Sequence, residues 1–186
     1  MDFDDLADLL GQMSEAKRQE MLDVMDDEDA ETVRRLLSYE EGTAGGLMTP
    51  EVIILGPHIT VSEALAQIRH PDWVVSIAAQ VFVCNAPFKS PTGKFLGIVH
   101  MQRLLREPPN MEIGQMLDDV PIVAPDTSDR DVAERLASYD MLAVAVCDTA
   151  GRLLGAVAVD DVIDRMLGTA WRTRRKPSPT PGVSTS

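Results

Sequence analysis

The sequence predicts an α+β fold: a short helical N-terminal segment, then one strand, helix, strand, strand, helix unit used twice. Three observations predict it. The stretch Leu153 to Met166 (LLGAVAVDDVIDRM) has an imperfect twin in Phe95 to Leu105 (FLGIVHMQRLL), and each follows a Gly-Lys or Gly-Arg pair, Gly93-Lys94 and Gly151-Arg152. Each reads as turn, buried strand, helix start, and a repeat of that kind governs the fold. Corresponding residues stand 68 apart before the first long helix of the unit and 58 apart after the loop, so the first copy carries about ten extra residues between His70 and Thr92. Residues 2–38, by contrast, show only helical spacing, in Leu6, Leu9, Leu10, Met13, Met21, Leu22, Met25, Val33, Leu36 and Leu37.

In chain order, Gly11 breaks the first helix, Ser14 is a good N-cap for the second, and Asp26, Asp27 and Asp29 separate the second from a third. Gly42 to Pro50 (GTAGGLMTP) is rich in chain breakers and marks a domain boundary. Val52 to Leu55 is a short strand ended by Pro57, and Thr60 with Glu63 forms a capping box for a helix to about Arg69. Val81 to Val83 and Phe95 to Val99 are strands around a Pro/Gly-containing loop, and a short helix runs to about Arg106. After Pro108 and Pro109 the series repeats. Val120 to Ala124 is the strand, Ser128 with Asp131 the cap, and the helix runs to about Tyr139; Leu142 to Val146 and Leu153 to Val157 are strands, and Asp160 to Leu167 is the closing helix. From Trp171 the chain is basic and then Pro/Ser/Thr-rich, so 169–186 reads as a disordered tail.

Composition narrows the function. Thirty Asp and Glu against 17 Lys and Arg give a net charge of -13, which argues against a nucleic-acid surface and for attraction to cations. Twelve of the acids fall in residues 1–31, either as a solvated face or as a site for hydrated divalent ions. Cys84 and Cys147 occupy corresponding places in the two copies, where buried free thiols are expected, and His58, His70 and His100 are too scattered for zinc. The longest apolar-rich run, Trp73 to Val83, is interrupted by Ser76 and Gln80 and falls well short of the roughly 20 residues of a membrane helix. No signal peptide precedes the acidic start, so a cytoplasmic location is expected.

The two copies resemble cystathionine β-synthase (CBS) domains, which pack in tandem with pseudo-two-fold symmetry. Tyr39 to Pro50 (YEEGTAGGLMTP), followed by such a pair and by Tyr139-Asp140, is similar to the cytosolic region of MgtE-type magnesium transporters. That resemblance divides the chain into an acidic helical segment (1–41), a junction (42–50), repeat 1 (47–107), repeat 2 (108–168) and the tail. The helical segment is shorter than the family's N domain, and neither a long apolar helix nor a pore follows Met166.

The resemblance implies two sites. Many CBS modules place a Ser or Thr and, three residues later, an Asp after the strand glycine, to hold the ribose of an adenine nucleotide. Here repeat 2 has Ala158 and Asp161 and repeat 1 has His100 and Arg103, so ATP, ADP or AMP would rest on Asp161, with Arg103 pairing to a phosphate or to a carboxylate across the cleft. Asp161 is equally placed to cap the closing helix. The second site is regulatory Mg²⁺ between the helical segment and the repeats. The family's ligands match Asp140 and the backbone carbonyls of Ala137 and Gly46, opposed by N-domain acids, for which Asp4 and Asp8, four apart on one helix face, can converge on one ion. The expected function is a non-enzymatic, magnesium-responsive regulatory module. A CBS-mediated homodimer and a membrane transporter or other cytosolic protein are the expected partners, without nucleic acid or a membrane span of its own. A constitutive interaction scaffold is the alternative. No nucleophile, base and orienting group assemble from the sequence.

Overall fold

A computed structural model describes residues 3–70, 73 and 75–167; the expected tail lies outside the described residues. Three helices open the chain: α1 (Phe3–Gly11), α2 (Glu15–Asp23) and α3 (Asp27–Leu36). Their apolar positions meet as Ala7, Leu10, Leu22, Ala30, Val33 and Leu36, all buried. Gly11 ends α1 as its sequence implies, and Arg18 caps that end by donating from Nε to the Leu10 carbonyl at 3.1 Å and from Nη2 to Gly11 at 3.3 Å. Ser14 stands at the N-cap of α2 without a side-chain bond.

The junction is not merely a break. Thr43 accepts from the Gly46 N–H and starts a one-turn helix, α4 (Ala44–Leu47), whose residues bond to repeat 2 through Ala44 N–H to Thr127 O (2.7 Å) and Gly45 N–H to Pro125 O (2.8 Å). Glycine is required there because the Tyr39 ring lies where a Gly45 side chain would stand, 2.6 Å from an added Cβ.

Repeat 1 follows as β1 (Ile54–Leu55), α5 (Val61–Ile68), α6 (Val75–Ala78), β2 (Gln80–Cys84), β3 (Phe95–His100) and α7 (Met101–Leu104). Repeat 2 comprises β4 (Ile122–Val123), α8 (Asp129–Ser138), β5 (Ala143–Cys147), β6 (Leu153–Ala158) and α9 (Val159–Leu167). The capping box of Thr60 and Glu63 is complete, and Ser128 accepts from the Asp131 N–H. Each repeat forms a three-stranded sheet, one parallel pair (β1–β2, β4–β5) and one antiparallel hairpin (β2–β3, β5–β6). The hairpins carry matching irregularities at Val83/Cys84 and Val146/Cys147. Among the described residues no helix is long and apolar enough to cross a membrane.

The extra residues of repeat 1 divide in two. Some add α6 ahead of β2, and the rest lengthen the β2–β3 loop to residues 85–94, where repeat 2 has only 148–152. The first strands are shorter than their β-branched runs suggest, two residues each.

The lead-in segment of each repeat crosses to the other. Thr49 exchanges both backbone bonds with Ala156 of β6 (2.9 and 3.0 Å), and Asp118 exchanges both with Ile98 of β3 (2.9 and 3.3 Å). This explains the repeated strand glycines. A Cβ on Gly155 would stand 2.4 Å from the Thr49 carbonyl oxygen, and one on Gly97 (φ +148°) 2.8 Å from that of Asp118. Gly155→Ala is therefore expected to lower stability by about 2–3 kcal/mol, because backbone must move. Gly151→Ala, at φ +72° with nothing within 4 Å, is expected to cost only about 1 kcal/mol. Urea midpoints check both values, and equal losses would mean that the crossing segment yields freely.

Candidate functional site

The helical segment does not stand apart from the repeats. Its apolar edge runs into the core of repeat 2, so that Leu10, Val33 and Leu36 share one cluster with Met48, Val132, Leu136, Val157 and Val162. Apolar burial thus holds α1 against the junction and brings its acids to α9, across nearly the full length of the chain.

Between α1, the end of α3 and the junction lies a pocket of about 210 Å³, lined among others by Asp4, Asp8, Arg18, Tyr39, Glu41 and Gly46; Asp160, Asp161 and Arg165 of α9 stand outside that lining. Burial raises the Asp8 carboxyl above the usual carboxylate range; Glu41 adds to that rise and Arg165 opposes it. Asp161 is pushed up to about 7, first by burial and then by the charges of Asp160, Asp4 and Asp5. Arg18 lines the pocket and Arg165 lies farther off. Arg165 of α9 reaches Glu41 only at 4.0 Å and Asp129 at 3.8 Å. The acids of α1 and α9 raise one another's protonation, which is the condition under which a cation adds most.

Among the described residues no three His, Cys, Asp or Glu side chains stand together closely enough to hold a bare metal. Mg²⁺ keeps several of its waters and takes one or two carboxylates directly, and the pocket offers two, Asp4 and Asp8, beside Gly46.

Of the five metal candidates, Asp4, Asp8 and Gly46 line this pocket, whereas Ala137 and Asp140 do not. Those two are exposed at the C-terminal end of α8. Asp140 has φ +51°, and the Met141 N–H reaches back to the Leu136 carbonyl at 3.0 Å, the pattern of a left-handed helix stop in which Asp is tolerated. Glu41, Asp5, Asp160 and Arg165 were not anticipated as site residues. Glu41 sits inside the Tyr39–Pro50 motif, and nothing in the local pattern marks the others.

The two nucleotide candidates are each engaged already. Arg103 Nη1 pairs with Asp118 Oδ1 at 2.7 Å, the carboxylate alternative, with Glu107 Oε1 3.8 Å from its Nε. Asp161 accepts from the Ala158 backbone N–H, half of a capping box that lacks the hydroxyl, and it faces the acids of α1. The two thiols are free and buried as expected; burial pushes Cys147 up to about 12 and raises Cys84 as well.

Comparison with known proteins agrees with this organisation. The profile of the MgtE intracellular N domain matches residues 1–42, and that of the CBS domain matches 44–110 and 111–168. The magnesium transporter MgtE of Thermus thermophilus is 32% identical over 166 residues, covering 87% of this chain and 36% of that protein. MgtE of Bacillus subtilis is 28% identical over 171 residues, 91% of this chain and 37% of the relative. The chain therefore spans about a third of the length of these curated relatives. Among solved structures, the cytosolic domain of the Mg²⁺ channel MgtE in complex with ATP superposes with a TM-score of 0.78 at 33% identity, covering 89% of this chain and 66% of that one. The soluble part of a magnesium transporter gives 0.80 at 30%, covering 89% and 63%. With the CBS profile over both repeats and the N-domain profile ahead of them, the chain belongs to the CBS-domain family and is homologous to the cytosolic domains of MgtE.

Proposed function

We propose that this chain is a magnesium-responsive regulatory module that acts, as a homodimer in the cytoplasm, on a magnesium-transporting membrane protein. The acidic corner between α1 and α9 carries the reading. Two elements far apart in sequence are packed together by apolar burial while their carboxylates repel, so the closed arrangement is favoured in proportion to the cation held there. Such a device shifts populations: a ligand at 100 times its dissociation constant and specific for one form favours that form by about 2.7 kcal/mol. A CBS pair and an MgtE-type N domain belong to regulatory and transporter-associated families, and the MgtE relatives are named as magnesium transporters.

Asp4 and Asp8 would hold the ion and the Gly46 carbonyl would complete its shell. Ala137 and Asp140, exposed at the end of α8 and outside the pocket lining, are the alternative position for that ion. The expected result is that millimolar Mg²⁺ raises the melting temperature of the chain, and that Asp8→Asn with Glu41→Gln removes most of the rise. Asp140→Ala separates the two positions, since loss of the effect there moves the site to α8. An equal rise in parent and both variants would reduce the effect to ionic screening and defeat the reading.

Adenine-nucleotide binding is the second reading, favoured by the ATP complex of the 33% identical domain. A nucleotide phosphate would have to displace Asp118 from Arg103. Calorimetric titration with ATP, ADP and AMP tests it, and absence of heat at submillimolar ligand removes it. A constitutive scaffold would show neither response.

A further inference from the structure

The β2–β3 loop of repeat 1 is longer than its counterpart in repeat 2, and the added stretch, through Lys89 and Ser90, touches the helical segment. Arg35 Nη1 donates to the Ser90 carbonyl at 2.9 Å in a partly buried contact, and Lys89 pairs with Glu28. Glu28 and Arg35 are seven apart, on one face of α3 and two turns from each other. The loop is fixed in turn to repeat 2. Ser90 Oγ donates to the Leu154 carbonyl, Thr92 N–H to that of Leu153 (3.0 Å), and Leu153 N–H to Thr92 Oγ1 (3.0 Å), with Thr92 fully buried. The Phe88 ring lies against Gly56, closing the loop back over its own repeat.

α3 and α1 therefore meet the repeats through opposite chemistry. At α1 the facing groups are mostly acids, with Arg18 and Arg165 among them. At α3 an arginine and a lysine meet a carbonyl and a carboxylate, with no ion required. The Lys89–Glu28 pair is exposed and contributes little by itself; the partly buried Arg35 contact is the stronger of these two polar ties, beside the apolar packing of Val33 and Leu36 against repeat 2.

We infer that this loop is a strap that holds α3 against the CBS pair without a cation, so that the helical segment pivots on α3 rather than detaching when the acidic corner loses its ion. The pivoting half rests on the proposed cation response; the strap itself does not.

Two label pairs test it. Nitroxides on Leu9→Cys and Met166→Cys report the α1–α9 opening, and on Glu31→Cys and Asn85→Cys the α3–loop contact. Cys84 and Cys147 are buried and leave the introduced thiols as the reactive ones. Double electron–electron resonance of the full chain in EDTA should show the 9–166 distance lengthened and the 31–85 distance unchanged from its value in Mg²⁺. In an Arg35→Gln, Lys89→Glu background the 31–85 distance should lengthen too. Lengthening of 31–85 by EDTA in the parent, or its constancy in the variant, overturns the strap. If 9–166 ignores Mg²⁺, the cation reading fails, and the strap stands or falls on 31–85 in the variant alone. Should Arg35→Gln lose its helical circular dichroism, shortening the loop by five residues between Ala86 and Thr92 releases α3 from the other side and must give the same lengthening.

Discussion

Asp161→Asn is expected to raise the stability of the metal-free chain at pH 8 by about 2 kcal/mol and to remove most of its decline between about pH 4 and pH 7. The carboxyl titrates near 3.8 when unfolded and at about 7 in the fold. Between those values the folded chain binds the extra proton, so stability falls as pH rises; the contribution is complete below about 3.8 and gone above about 7. A shift of that size corresponds to ~4 kcal/mol at 1.36 kcal/mol per unit, and partial solvent access reduces it to about half. Asparagine keeps an oxygen for the Ala158 N–H and removes the charge that Asp160, Asp4 and Asp5 oppose. Asp8 is raised for like reasons and leaves a smaller slope of the same sign. On the proposed cation site Mg²⁺ would supply in another form what the proton supplies, so saturating Mg²⁺ is expected to flatten the parent's profile and to stabilise the Asn variant less. Urea midpoints across the pH range decide it, and an Asn variant with the parent's slope would falsify the assignment.

The fold was legible where the physics is local. Thr60 with Glu63 and Ser128 with Asp131 are caps whose bonds close within three residues, and the hairpin strands announce themselves by apolar runs between glycines. What stayed hidden depends on distant chain. Gly97 and Gly155 read only as glycines within the buried strands, but the reason for glycine is the crossing lead-in of the other repeat, to which no neighbouring residue testifies. The junction reads as breakers only, since a single turn such as α4 is stabilised by repeat 2 rather than by its own propensity. For the site, the Asp4–Asp8 spacing was visible. The approach of Asp161 to those acids was not, because it follows from how the core of repeat 2 merges with the helical segment. Asp140 shows the converse, a residue with an unusual backbone that the helix stop alone accounts for.

Phe82→Ala is expected to cost about 3–5 kcal/mol, among the largest single losses available in this chain. Phe82 is fully buried between the two sheets, in a cluster with Ile98 and with Ala143, Ala145, Ala156 and Ala158 of repeat 2. The register makes the pairing informative. Phe82 pairs with Ile98 across its hairpin, and Ala145 pairs with Ala156 at the corresponding place in the other. Repeat 1 thus supplies the large side chains and repeat 2 the small ones at equivalent positions, so the interface fills by complementarity rather than by symmetry. Adding Ala145→Phe to Phe82→Ala returns the volume from the opposite sheet and should recover about half the loss, as judged by urea midpoints. A cost below about 1 kcal/mol for Phe82→Ala, or no recovery in the double variant, would mean that the sheets close over the cavity and that size asymmetry does not orient them. If the asymmetry does orient them, it fixes which repeat presents its helices to the N-terminal segment. That choice puts α9 rather than α7 opposite Asp4 and Asp8, and so places the acidic corner on repeat 2.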